Sequence, residues 1–151
     1  MAKYDEKDAF NLADNTIRKL NMIMRLAALN LFRQVILKTP VREGRARSNW
    51  VATVGDISRE VTDNIKSEAQ TVNDMIEKIT GGQLKKGFFL TNNLPYIQKL
   101  EYGGYPNPAK TGTKTVNGYS KQAPAGMVRI SLEQIKNELS EIIEDVIENQ
   151  K

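Results

Sequence analysis

The chain has 151 residues, a net charge of +4 and an isoelectric point near 9.3, with no cysteine and no histidine. Disulfides and thiolate metal sites are therefore excluded, and the commonest general base and commonest metal ligand are missing. Hydrophobic residues make up 40% and charged residues 26%, the balance of an ordinary globular chain, and residues 1–151 read as one domain.

Met1 to Asp8 is charged and carries no apolar signal core, and no uninterrupted apolar run reaches the 18 residues of a membrane span, so no membrane partner is expected. From about Asp8 to Lys38, Phe10, Ala13, Ile17, Leu20, Met24, Ala27, Leu31 and Val35 recur at alternating steps of three and four, which predicts a long helix with one apolar stripe. Ile23, Leu26, Phe32 and Leu37 widen the stripe, so part of this helix is expected to be covered on more than one side. Thr39-Pro40 ends it, because the residue before a proline is pushed out of the α region.

Val41 to Ser48 is a polar, arginine-rich connection, and Trp50 to Val54 alternates like a strand, with Trp50, Ala52 and Val54 on one face. Ile65, Ala69, Val72, Ile76 and Ile79 predict a helix over Asp63–Thr80, capped by Thr62 or Asp63 and ended by Gly81-Gly82. Gly87 to Thr91 reads as a second strand, Asn92-Asn93-Leu94-Pro95 as a turn, and Pro95 as the opening of a short helix through Glu101. The stretch from Tyr102 to Gln122 is rich in Gly, Pro, Lys and Thr, with a hairpin turn expected at Asn117-Gly118. A final helix starts at Ala125 or Met127 and runs to Glu148, burying Val128, Leu132, Ile135, Leu139, Ile142 and Val146. The fold class is α+β: long N- and C-terminal helices on a small antiparallel sheet, a further central helix, and a long loop at about 103–122.

Four surfaces stand out. Residues 33–48 hold five basic side chains (Arg33, Lys38, Arg42, Arg45, Arg47) against one acid, Glu43. Guanidinium forks suit carboxylates and phosphates, and three partners remain open for them: carboxylates of the same chain, a neighbouring subunit, or DNA. Tyr96, Tyr102, Tyr105 and Tyr119, with Trp50, are aromatic interface candidates, against the plainer reading that Tyr96 is half-buried on the sheet. The long loop carries Lys110, Lys114 and Lys121 and no acid; it is a surface insertion, a segment ordered by a neighbour, or a DNA-facing element. Residues 129–151 carry six acids against three basic residues, so the chain is polarised into basic loops and an acidic helix. Such unlike patches are what head-to-tail assembly into a closed ring requires. Gly44 lacks the second glycine and the Gly-Lys-Ser/Thr of a phosphate loop, and no Ser/His/Asp, Cys/His or carboxylate metal cluster can be drawn; an enzyme, a metal site and a cofactor are not expected.

Thr39-Pro40-Val41-Arg42-Glu43-Gly44-Arg45-Ala46-Arg47-Ser48-Asn49-Trp50 resembles the Thr/Ala-Pro-Val-x-x-Gly-Arg-x-Arg-x-x-Trp stretch of phage minor tail and neck proteins. Asn92-Asn93-Leu94-Pro95-Tyr96 with Leu100-Glu101-Tyr102-Gly103 resembles the Asn-x-x-Pro-Tyr…Glu-Tyr-Gly signature of the same family, and Gln122-Ala123-Pro124-Ala125-Gly126-Met127-Val128-Arg129 the segment that opens its last helix. This is the tail-completion family that includes the lambda Z protein; the three motifs occur in the family's order and cover about residues 39–129. Arg42-Glu43 departs from the Asp-Thr that many relatives carry before the glycine. The resemblance implies a non-enzymatic virion protein of the neck, assembled in the host cytoplasm. It would be one copy in a ring, a hexamer in preference to a dodecamer, joined to connector or adaptor and to tail-terminator or tail-tube proteins around the DNA channel. Its expected interface residues are Arg42, Arg45, Arg47, Trp50, Tyr96, Tyr102, Tyr105, Lys110, Lys114 and Tyr119, with Lys110, Lys114 and Lys121 facing DNA. A tail-terminator or head–tail adaptor ring protein is the alternative within the class, and a small basic DNA-binding protein the alternative outside it.

Overall fold

A computed structural model describes residues 5–106 and 114–149. The first helix, α1, runs Glu6–Lys38, capped by the Asp5 carboxylate and ended at Thr39 as the proline rule requires. A single helical turn, α2 (Arg45–Ser48), follows where the sequence predicts only a connection. Gly44 makes that turn feasible: its φ of 86° is left-handed, and a Cβ there would stand 3.0 Å from the Ile65 side chain.

β1 (Val51–Val54) pairs antiparallel with β2 (Phe88–Thr91) in the register Ala52 opposite Leu90 and Val54 opposite Phe88. Between them lies α3 (Glu68–Gly81), which begins five residues later than the periodicity predicts. The physical reason is competition for the backbone. Asn49 takes the Thr62 N–H on its Oδ1 and gives its Nδ2 to the Thr62 carbonyl, and the Ser48 hydroxyl accepts from the Lys66 N–H. These bonds keep residues 62–66 out of the helix, and the Ser67–Gln70 capping box then starts it.

The remaining elements are a 3-10 turn (Leu84–Lys86) before β2, α4 (Ile97–Tyr102), a hairpin of β3 (Thr115–Val116) and β4 (Tyr119–Ser120), and α5 (Val128–Asn149). The hairpin turns at Asn117-Gly118, both with positive φ (51° and 82°), the signature of the tight turn read from the sequence. The architecture is α+β, with long terminal helices and two small two-stranded antiparallel sheets.

The core has two lobes. Phe32 and Ile36 of α1, Ala52 of β1, and Met75 and Ile79 of α3 form one; Val35, Ala46, Leu94, Leu100, Ala123 and Met127 form the other, and Trp50 touches both. α5 lies antiparallel along the C-terminal half of α1, where Gln34 donates to Glu138 at 3.3 Å and Lys38 to Gln134 at 2.7 Å. The N-terminal half of α1 departs from expectation: Phe10, Ile17, Leu20 and Met24 are all more than half exposed. By length and composition alone α1 passes for a membrane span, with a stretch of mean hydropathy 1.3. Arg25 and Arg33 interrupt it, however, and its second half lies at the centre of this fold.

Candidate functional site

The three motif segments meet in space and are tied by specific hydrogen bonds. Gln122 clasps the Val41 backbone, accepting from its N–H at 2.7 Å and donating to its carbonyl at 2.9 Å. Asn92 donates to the Ala46 carbonyl at 2.8 Å, and Asn93 to the carbonyls of Ser58 and Glu60. The Trp50 indole donates to the Thr39 hydroxyl at 2.7 Å, and that hydroxyl donates back to the Val35 carbonyl.

The tightest link joins α4 to α5. One carboxylate oxygen of Glu101 accepts from the N–H groups of Met127 and Val128, at 2.7 and 2.8 Å, and the other from the N–H and Nε of Arg129, both at 3.0 Å. These N–H groups are the orphan donors of a helix N-terminus, where negative charge is favoured. Burial alone would raise the Glu101 pKa; the backbone donors and the Arg129 guanidinium outweigh it and hold the carboxylate below its ordinary value. Arg129 also donates to the Glu101 carbonyl at 2.6 Å and stacks 4.8 Å over the Tyr102 ring.

Around this framework lies a groove of about 710 Å³ between the 40–46 segment, α4 and the hairpin. Arg42, Arg45, Lys114 and Lys121 line it against one acid, Glu43, and Tyr96 and Tyr105 contribute aromatic wall. Burial pushes the Tyr105 phenol up, with the neighbouring Tyr96 adding to it.

Six of the residues singled out in the sequence thus share one surface, and the others separate from it. Arg47 points away to Glu68 at 3.1 Å. Trp50 is committed to the core through Thr39. Tyr102 is 65% exposed under Arg129, and Tyr119 packs edge-on against Gly103 with its hydroxyl 3.5 Å from Arg129. Lys110 lies outside the described residues. Arg45 also pairs with Asp63 at 2.8 Å, so Arg42 alone of the three motif arginines has no ion-pair partner among the described residues. Sequence reasoning missed Gln122 and Glu101 as linkers, and nothing in their spacing marks them, since each acts on backbone that is distant in the chain. A larger cleft of about 950 Å³ beside β1 and α3 has a mixed lining in which Lys66 pairs with Asp74 at 2.8 Å.

Comparison of the chain with protein-family models, with curated proteins and with solved structures found no match.

Proposed function

We propose that this chain is a structural subunit of a bacteriophage neck, a tail-completion protein that works as one copy in a head-to-tail ring, with a hexamer favoured over a dodecamer. The observation that supports this most is the pairing of unlike surfaces on one subunit. The cationic groove sits at the 40–46 end of the molecule, while Glu141, Glu144, Asp145 and Glu148 crowd the far half of α5. From residue 38 of α1 to the level of the end of α5 is about 20 Å of helix, so the two patches do not neutralise each other within a chain. Two different complementary patches are the requirement for a closed ring. The motif segments that resemble the tail-completion family form the hydrogen-bonded frame of that groove, which gives the resemblance a physical unit.

Ion pairing of Arg45 and Arg47 within the chain leaves a smaller cationic surface than the DNA-binding reading calls for. The test is size-exclusion chromatography with light scattering and negative-stain microscopy, on the pure protein and with its head–tail neighbours. Rings, alone or on the joint, are expected. A chain that stays monomeric in both settings, or a mature particle lacking it, removes the proposal.

A further inference from the structure

The first half of α1 is an arm that leaves the body. The Gln34–Glu138 and Lys38–Gln134 contacts set α1 and α5 antiparallel, so at about 1.5 Å rise per residue Asn149 ends beside roughly residue 23 of α1. Arg25 lies at the end of α3, bonded to the carbonyls of Ile79, Thr80 and Gly82. Residues 6–21 therefore run past both neighbours for about 24 Å. Every residue from Asp5 to Arg18 is exposed. Yet the stripe Phe10, Ile17, Met24 is in phase with Leu31 and Val35, which pack in the core, so the seam that α1 makes with the body continues into solvent.

α5 carries a second uncovered apolar strip. Ile135, Ile142 and Val146 are buried, but Val128, Leu132, Leu139 and Ile147 on the adjoining flank stand 36–46% exposed. The two strips share a seven-residue spacing: Phe10 and Ile17 on the arm, Leu132 and Leu139 on α5. Laid parallel in that register, Met24 falls level with Val146 and next to Ile147, Asp14 stands beside Lys136, and Lys19 stands beside Glu141. Laid antiparallel, Glu6 and Asp8 would fall among the four acids of the second half of α5. Charge therefore selects one orientation.

We infer that the arm of one copy lies parallel on the uncovered flank of α5 of the next copy, Phe10 over Leu132 and Ile17 over Leu139. This rests on the head-to-tail reading above, not on the place of the ring in a virion, and it gives Glu141 and Glu144 to the arm of the neighbouring copy in place of that copy's groove. An arm-on-arm pairing would leave the α5 flank bare and close as a two-fold dimer; the arm-on-α5 contact is unlike-sided and propagates.

The natural chain has no cysteine, so engineered thiols report without background. A chain carrying both Ile17→Cys and Leu139→Cys cannot close on itself, because its own Leu139 lies about 24 Å from Ile17 along α1, beyond disulfide reach. Mild oxidation of the assembled protein is expected to give a ladder of dimer, trimer and higher species on a non-reducing gel. Phe10→Cys with Leu139→Cys, one heptad out of register, is expected to give none. Dimers from Ile17→Cys alone, or no ladder from the double variant in the assembled ring, overturn the inference. Ile17→Lys with Leu20→Lys is expected to abolish assembly without moving the thermal midpoint of the monomer, since neither side chain is packed. Assembly that survives this change overturns it as well, and so does arm-dependent sedimentation with vesicles of equal phosphatidylcholine and phosphatidylglycerol, which would assign the stripe to a lipid surface. A ladder from rings that are absent from the virion keeps the arm contact and removes the neck reading; neck rings that give no ladder do the reverse.

Discussion

Glu101 and Arg129 hold each other twice, carboxylate to guanidinium at 3.0 Å and carbonyl to guanidinium at 2.6 Å, while the same carboxylate closes the first turn of the helix that Arg129 belongs to. The pair joins the short helix after the second strand to the start of the C-terminal helix, across a chain separation that includes the whole long loop. Glu101 is 6% exposed and Arg129 largely open, so the carboxylate acts as a buried cap and the guanidinium as its solvated counter-ion.

Acid stability follows from that cap. The Glu101 pKa is held below its ordinary value of 4.5 in the folded chain, so its contribution is complete above that pH and disappears as pH falls through the lower, folded value. Glu101→Gln is expected to lower stability at pH 7 by about 2–4 kcal/mol, the cost of weakening charge-assisted bonds to several buried N–H groups. The variant should also lose part of the steep decline that the natural chain shows on acidification below about pH 4.5. Urea melts of both proteins between pH 3 and pH 7 measure the two curves; parallel curves would show that the carboxylate is not the titrating cap.

Gly126 is fixed by the same contact. Its φ is 82°, and a Cβ would stand 2.4 Å from the Glu101 carbonyl oxygen and 2.9 Å from its carboxylate. Gly126→Ala is expected to cost about 2–4 kcal/mol through backbone strain and overpacking together. Gly104→Ala makes the control, because it shares a positive φ (110°) and nothing lies within 4 Å of its would-be Cβ. Comparing thermal midpoints of the two variants separates a general loss of glycine freedom from this one collision.

These contacts also mark what sequence reasoning reaches. The helices α1 and α5, the pairing strands and the Asn117-Gly118 turn were legible because periodicity and turn chemistry are local properties. The start of α3 was not, because Ser48 and Asn49 act on backbone more than ten residues away and override the apolar spacing around Ile65. For the site, residue types were legible and roles were not. Arg42, Arg45, Lys114 and Lys121 do share a groove, but Trp50 turned inward because its indole finds Thr39, and Arg47 turned aside to Glu68. Which side of a residue faces its own chain is decided by tertiary partners that spacing cannot name.

Trp50 offers a direct measurement of one such partner. Thr39 is 2% exposed, and its hydroxyl is the acceptor for the indole N–H. Thr39→Val preserves volume but leaves that donor buried and unpaired, with an expected loss of about 1–3 kcal/mol; Thr39→Ser should recover most of it. Trp50 is the only tryptophan, so its emission follows unfolding without interference. Equal stability of the valine and serine variants would show that the bond contributes nothing net.

Arg25 anchors α1 to the end of α3 where the arm begins. One guanidinium nitrogen reaches the carbonyls of Ile79, Thr80 and Gly82, and the group lies 5.4 Å from the Phe88 ring centre. These carbonyls form the negative end of α3, which a cation stabilises. Arg25→Met keeps the stem and removes the charge, with an expected loss of about 1–2 kcal/mol. Hydrogen exchange locates the effect: faster exchange is expected in the last turn of α3 and around Phe88, with α5 unchanged. Uniform loosening of the whole molecule would instead make Arg25 a general core residue.

The cationic groove makes its own prediction about assembly. Arg42 and Lys121 are exposed, and Arg42 has no ion-pair partner among the described residues, so Arg42→Glu with Lys121→Glu should leave monomer stability within about 0.5 kcal/mol. The same change turns the groove acidic and should remove its acidic partner, while every other surface of the subunit stays competent. In a head-to-tail ring such a copy still occupies one side of a contact and fails to offer the other, so it ends the chain. Small amounts mixed into natural protein are therefore expected to deplete rings out of proportion to their share. A two-fold assembly would respond differently, losing only the complexes in which the variant takes part. Light scattering across a mixing series distinguishes the two, and a strictly proportional loss would rule out the groove as one half of an unlike-sided contact.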